Sequence, residues 1–215
     1  MTYSGEGLNR RTQILAGGPN SPTHRWWDAF AKKWGGCKLC PLHQHRNKVV
    51  QFRGIIPADI LFIGEAPWIS EDELGRPFVG PAGRELDKLL EAAGIEDGEF
   101  CLVNIVACIP RQLDQDGKPC GGPRPPENTE ARTCAPRLKE LIEHIKPKLV
   151  VRLGNVAGKY IDPFLNGQPV IDLVHPSFII QKEQKSPNIT ALLRKRFTLE
   201  LRQAASKMRE RIGSV

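Results

Sequence analysis

Four short apolar runs recur along the chain, at residues 59–64 (DILFIG), 100–106 (FCLVNIV), 148–153 (KLVVRL) and 169–175 (PVIDLVH). Each is too short for a buried helix and is bounded by turn or breaker residues, so each predicts a strand. Between them, helical patterns cover residues 80–94 (GPAGRELDKLLEAAG), 127–145 (ENTEARTCAPRLKELIEHI) and 155–161 (NVAGKYI). Strands alternating with helices predict an α/β fold with a central four-stranded parallel sheet, right-handed crossovers and both faces covered. Ligands of such sheets bind beyond the C-terminal ends of the strands. Those ends carry Gly64 with Glu65, Asn104, Gly154 and His175.

The flanks read differently. Residues 1–22 are rich in Gly, Ser, Asn and Pro and predict a loosely ordered arm, leaving 23–215 as a single domain. A short helix then carries Trp26, Trp27, Phe30 and Trp34 at helical spacing and stops at Gly35 and Gly36, so these aromatics are expected to pack. A Pro/Gly-rich insert at 110–126 predicts irregular loop between the second strand and its helix. Residues 190–212 predict a closing amphipathic helix with a dense basic face.

Composition narrows the class. With 215 residues, 40% hydrophobic and 26% charged, the chain has the make-up of an ordinary soluble globular protein. No apolar run approaches the roughly 20 residues of a membrane span. The N-terminus lacks the apolar centre of a secretory signal, so a cytoplasmic, nucleoid-associated location is expected. A net charge of +7 suits a polyanionic partner such as nucleic acid.

Six cysteines in such a chain point to metal rather than disulfides. Cys37 and Cys40 form a C-x2-C turn, the usual first half of a zinc or iron–sulfur site. Cys108 lies just past the second strand and Cys134 within the next helix. One close pair plus two scattered cysteines fits a [4Fe–4S] cluster better than a zinc ribbon, which supplies two close pairs. Cys101 alternates onto a buried strand face. Cys120, in the insert, is an alternative ligand to Cys108.

The loop after the first strand is the most specific feature. Its sequence GEAPWISEDELGRPFVGPAGREL (64–86) resembles the first motif of the family 4, iron–sulfur uracil-DNA glycosylases. NIVAC (104–108) resembles their second strand, HPS (175–177) their final His-Pro motif, and RPPE (124–127) falls in family order. The resemblance covers about residues 35–182. It implies a three-layer α/β/α uracil-DNA glycosylase-like fold and hydrolytic removal of uracil from DNA, without strand cleavage, in base-excision repair. It also implies a structural [4Fe–4S] cluster on Cys37, Cys40, Cys108 and Cys134. The chain departs from the family pattern in having Trp68 where the family has glycine, and in a lengthened Cys108–Cys134 spacing.

In that frame each residue has a role. An N-glycosidic bond is cleaved only after the base leaves the stack. Phe78 is expected to stack on the flipped uracil, Asn104 to read its O4 and N3, and His175 to donate to O2 as negative charge builds there. A neutral imidazole is the expected donor. Backbone amides of Gly64–Ala66 are further donors. Glu65 and Glu71 are expected to face the cationic sugar and the attacking water, with Asp72 a third candidate. Trp68 is expected to wall the pocket against the thymine methyl. Ser177, Ile179, Ile180 and Lys182 are expected at the DNA, the isoleucines as wedges and the lysine at phosphate, with Arg194, Lys195 and Arg196 extending a basic track. The expected partner of this monomer is single- or double-stranded DNA containing uracil. Two other readings stay open. One is a uracil-DNA binder that traps DNA without turnover, although the insert lacks a histidine. The other is a non-enzymatic, metal-containing DNA-binding or sensor protein.

Overall fold

The computed structural model describes residues 13–155, 158–183 and 185–214. The first twelve residues of the expected arm lie outside the described residues. In chain order, β1 (Gln13–Leu15), α1 (Pro22–Trp34), β2 (Arg53–Ile56) and β3 (Ile60–Gly64) come first. Then follow α2 (Ile69–Leu74), α3 (Pro81–Ala93), β4 (Phe100–Asn104), β5 (Arg111–Leu113) and β6 (Pro119–Pro123). The rest is α4 (Asn128–Ile145), β7 (Leu149–Leu153), α5 (Gly158–Ile161), β8 (Val170–Leu173), α6 (Pro176–Glu183) and α7 (Pro187–Gly213).

The main sheet has the order β1-β2-β4-β3-β7-β8. The four expected strands, β4-β3-β7-β8, are parallel, and β3, β4 and β7 have the apolar composition of strands buried on both faces, while β8 is a half-buried edge. Their alternation serves two cores at once. Ile60, Phe62, Phe100, Leu102, Leu149 and Val151 face α3, α6 and α7. Leu61, Ile63, Cys101, Val103 and Val150 face α1 and α4. The layering is therefore α/β/α. The α1 aromatics pack as expected: Phe30 and Trp34 are buried, and Trp26 stacks on His144 at 4.0 Å.

Three features exceed the expectation. The sheet gains β2, antiparallel to β4, and β1, parallel to β2, so the end of the expected arm belongs to the sheet edge. Neither strand has an apolar run long enough to be read from sequence. The insert is no irregular loop, for β5 and β6 pair as an antiparallel hairpin. Finally, α7 starts at Pro187, and Arg194 is not a free cation there. It bridges Glu85 of α3 at 2.5 Å and Glu183 of α6 at 2.8 Å, tying three helices together.

Candidate active site

The C-terminal ends of β3, β4, β7 and β8 open into a cleft of about 680 Å³ that includes Glu65, Trp68, Phe78, Asn104 and His175 in its lining. The five are spread over more than a hundred residues of sequence, and parallel topology alone brings them together.

Phe78 is held in an unusual way. Its φ is 56°, a left-handed conformation that a bulky residue adopts only when its surroundings impose it. Three groups impose it. The buried Arg53 donates to the Phe78 carbonyl at 3.0 Å while its fork grips Asp87 at 2.6 Å. Gly83, in the first turn of α3, lies against the same carbonyl, and a Cβ there would come within 1.7 Å of it. Glu71 accepts from the backbone N–H of Phe78, Val79 and Gly80 and from that of Trp68 at 2.5 Å. The ring then lies over Gly64, where a Cβ would fall 2.5 Å from Phe78 Cζ and 2.6 Å from Asn104 Oδ1. Glycine at 64 is what lets the ring and the amide share this floor.

His175 follows β8 and sits 6.1 Å, centroid to centroid, from the Phe78 ring. Its Nδ1 takes the Ser177 backbone N–H at 3.2 Å and lies 2.8 Å from the Ser177 hydroxyl. A backbone N–H can only donate, so Nδ1 is the acceptor and the neutral ring carries its proton on Nε2. Burial depresses its pKa to about 4, which keeps the ring neutral at physiological pH. Asn104 is buried at the end of β4. Glu65 is half-buried, its Oε1 has no hydrogen-bond partner among the described residues, and burial raises its pKa. The Gly64 and Glu65 carbonyls accept from Ile105 and Val106 at 3.0 and 3.3 Å, fixing the loop that carries Ala66 to the cleft.

Several expected residues serve differently. Glu71 lines the cleft but is buried and saturated by backbone amides, so it shapes the Phe78 loop; burial raises its pKa and those amides oppose the rise. Asp72 is outside the cleft and fully buried, accepting from Asn47, Lys48 and Arg111, which makes it a structural knot. Ile179 is completely buried in the α3/α6/α7 core and cannot be a wedge. Ile180 lines the cleft, and Phe178 is 42% exposed with Lys182 Nζ 5.2 Å over its ring. Trp68 stands at the rim, 54% exposed, near Gly122 of the β5–β6 hairpin.

A second, smaller cavity lies on the side of the sheet that packs against α1 and α4. Cys37, Cys40, Cys108 and Cys134 all line it, together with Trp34, Leu42 and Val106. Burial raises the Cys40 pKa and pushes that of Cys108 up to about 11, the latter opposed by Arg46, whose guanidinium lies 3.3 Å from the Cys108 sulfur. The thiols ring this space rather than meet at one point: among the described residues no three His, Cys, Asp or Glu side chains are grouped for a single ion. Cys120 is exposed on β6 and does not line the cavity, and Cys101 is core, its thiol pKa raised by burial. The donor set suits a cluster that takes one thiolate per iron.

Residues 53–201 match the family model described as the uracil DNA glycosylase superfamily. A type-4 uracil-DNA glycosylase of Thermotoga maritima is 35% identical over 67% of this chain and 78% of its own length. The chain belongs to the type-4 uracil-DNA glycosylases. Proteins of the same name from Sulfurisphaera tokodaii and Pyrobaculum aerophilum are 40% and 36% identical, over 58% and 57% of this chain. The matches span 53% and 58% of those two relatives, little more than half their length.

Within this type-4 member, sequence reasoning missed Arg53, Arg137 and Phe178. Arg53 and Arg137 are charges buried in the interior, which no periodicity announces. Phe178 was passed over for its aliphatic neighbours, although the start of the helix after His175 turns it outward while Ile179 turns in.

Proposed function

We propose that this protein is a monofunctional uracil-DNA glycosylase that hydrolyses the N-glycosidic bond of deoxyuridine in DNA, leaving free uracil and an abasic site. One observation carries the reading. A neutral His175 with its proton on Nε2 shares a cleft with a stacking ring, a buried amide and an unpartnered carboxylate. The flipped base stacks on Phe78, and Asn104 accepts from N3–H and donates to O4. Cytosine presents a donor in place of O4 and leaves the amide mismatched. As the bond lengthens, negative charge gathers on O2 and the His175 Nε2–H donates to it. A neutral donor pre-set in a dry site needs no reorganisation at that moment. Glu65, half-buried and with no partner for its Oε1 among the described residues, lies in the cleft where positive charge develops on the sugar and a water must be oriented. Trp68 walls the rim against a 5-methyl group. Phe178 takes the wedge role beside Ile180, with Lys182 near phosphate.

The four cavity cysteines would hold a [4Fe–4S] cluster. When bound it cross-links the start of the domain, the end of β4 and α4, and takes no part in the chemistry. A uracil-containing DNA partner, single- or double-stranded, a monomeric state and a cytoplasmic, nucleoid-associated site of action are part of the same proposal.

Incubation with a uracil-containing oligonucleotide, followed by detection of free base and alkali-labile sites, tests the reading. His175→Ala should slow release about 100- to 1,000-fold, the scale of one lost oxyanion donor. Tight binding of the oligonucleotide with no released uracil would instead mark a binder.

A further inference from the structure

Arg137, in α4 three residues after Cys134, is 2% exposed, and its side chain spans two sites. It lines the four-cysteine cavity, and its guanidinium donates to the Asn104 carbonyl at 2.7 Å and the Ile105 carbonyl at 3.2 Å. Its other terminal nitrogen reaches Gln51 Oε1 at 3.3 Å, and its Nε has no partner. These partners are all neutral. The other deeply buried arginine, Arg53, has Asp87 at 2.6 Å. A cation sealed in the interior without counter-charge is strongly unfavourable. Arg46, 3.3 Å from the Cys108 sulfur, places a second cation at the same cavity, and a cluster held by the four cysteines would supply the counter-charge.

We infer that Arg137 is a positioning residue that couples the four-cysteine cavity to base recognition by clamping the backbone of Asn104. The coupling has a physical route. The β4 end that Arg137 grips also carries the Asn104 amide, whose Oδ1 packs against the floor at Gly64. Release of the clamp frees the strand end to shift, and a shift there disperses the amide that reads the base. A lysine keeps the charge but not the planar fork, whose Nη2 donates to both carbonyls while Nη1 reaches Gln51. This inference rests on the cleft being a uracil site.

The test measures the dissociation constant of free uracil for the wild type, Arg137→Met, Arg137→Lys, Asn104→Ala and the double variant Arg137→Met/Asn104→Ala. Iron loss to a chelator and far-ultraviolet circular dichroism are followed alongside. Arg137→Met should bind uracil about tenfold more weakly, the scale of a hydrogen bond from a charged group, and Arg137→Lys should recover part of this. Because the effect runs through Asn104, Arg137→Met should add almost nothing in the Asn104→Ala background. It should also surrender iron faster than the wild type. Wild-type uracil affinity in Arg137→Met, an equal loss in both backgrounds, or unchanged iron release would overturn the inference. If Arg137→Met fails to fold, Arg137→Lys carries the same comparison: a weakening that vanishes in the Asn104→Ala background supports the clamp, and wild-type affinity overturns it. A wild-type protein that binds no uracil refutes the reading of the cleft itself, before any variant is compared.

Discussion

His175 makes the sharpest demand at the scale of single residues. Its depressed pKa, about 4, comes from burial and opposes the charged form. Uracil release plotted against pH should therefore show no inflection near 6.5; one at that pH would mean a solvated imidazole. The same shift bears on stability. On acidification the unfolded chain binds this proton near pH 6.5 and the folded chain only near 4, so this group's contribution declines between those values and is constant above them. Gly64 offers a second test. Its missing Cβ is the space used by Phe78 and Asn104, so Gly64→Ala should displace one of them and destabilise the fold by only about 1–3 kcal/mol. A Michaelis constant for uracil DNA unchanged in that variant would contradict the shared floor. At this scale the sequence made the place of His175 and the strand-end Asn104 in the cleft lining legible, because a polar residue at the end of a parallel strand points beyond the sheet. It was misleading for Glu71 and Asp72, because a carboxylate in a motif looks alike whether it meets substrate or backbone amides. Only the buried N–H groups around Glu71 distinguish the two.

Among elements, α6 separates two roles that lie one residue apart. Ile179 is buried among the α3, α6 and α7 core residues, so Ile179→Ala should lower unfolding free energy by about 2–5 kcal/mol. Phe178 is exposed beside the cleft helix, so Phe178→Ala should leave stability nearly intact and slow excision from duplex more than from single-stranded DNA. Denaturation curves and excision rates on the two substrates check both; equal slowing on both would remove the wedge role from Phe178. The helix start was legible from the Pro after His175, but the facing of its first turn depends on α3 and α7, which the local sequence does not contain. The β5–β6 hairpin escaped notice for a similar reason. Its strands hold Pro and Gly, and its pairing replaces the apolar alternation that usually reveals a strand.

Taken whole, the molecule carries two sites, one at the C-terminal ends of the parallel strands and one on the α1/α4 side of the sheet, and β4 with α4 connects them. Of the four parallel strands, β3, β4 and β7 were readable because both of their faces are buried, and the edge strand β8 from its short apolar run bounded by breaker residues. The added strands β1, at the sheet edge, and β2, between β1 and β4, were not, since such short strands draw their stability from a neighbour's backbone rather than from an apolar run of their own. The cysteine cavity was legible only as far as the C-x2-C pair and its order along the chain; folding then selected Cys108 and left Cys120 outside. Cys134→Ser should lower bound iron and stability together, as measured by metal content and thermal unfolding, because a metal that binds only the folded chain stabilises it.

The account as a whole stands on discrimination among bases. The most direct measurement is single-turnover release of free base from oligonucleotides identical except for one uracil, thymine or cytosine. Release from uracil alone, abolished in step with loss of the His175 side chain, is the predicted result. Release of cytosine or thymine at a comparable rate, or of none of the three, would contradict it.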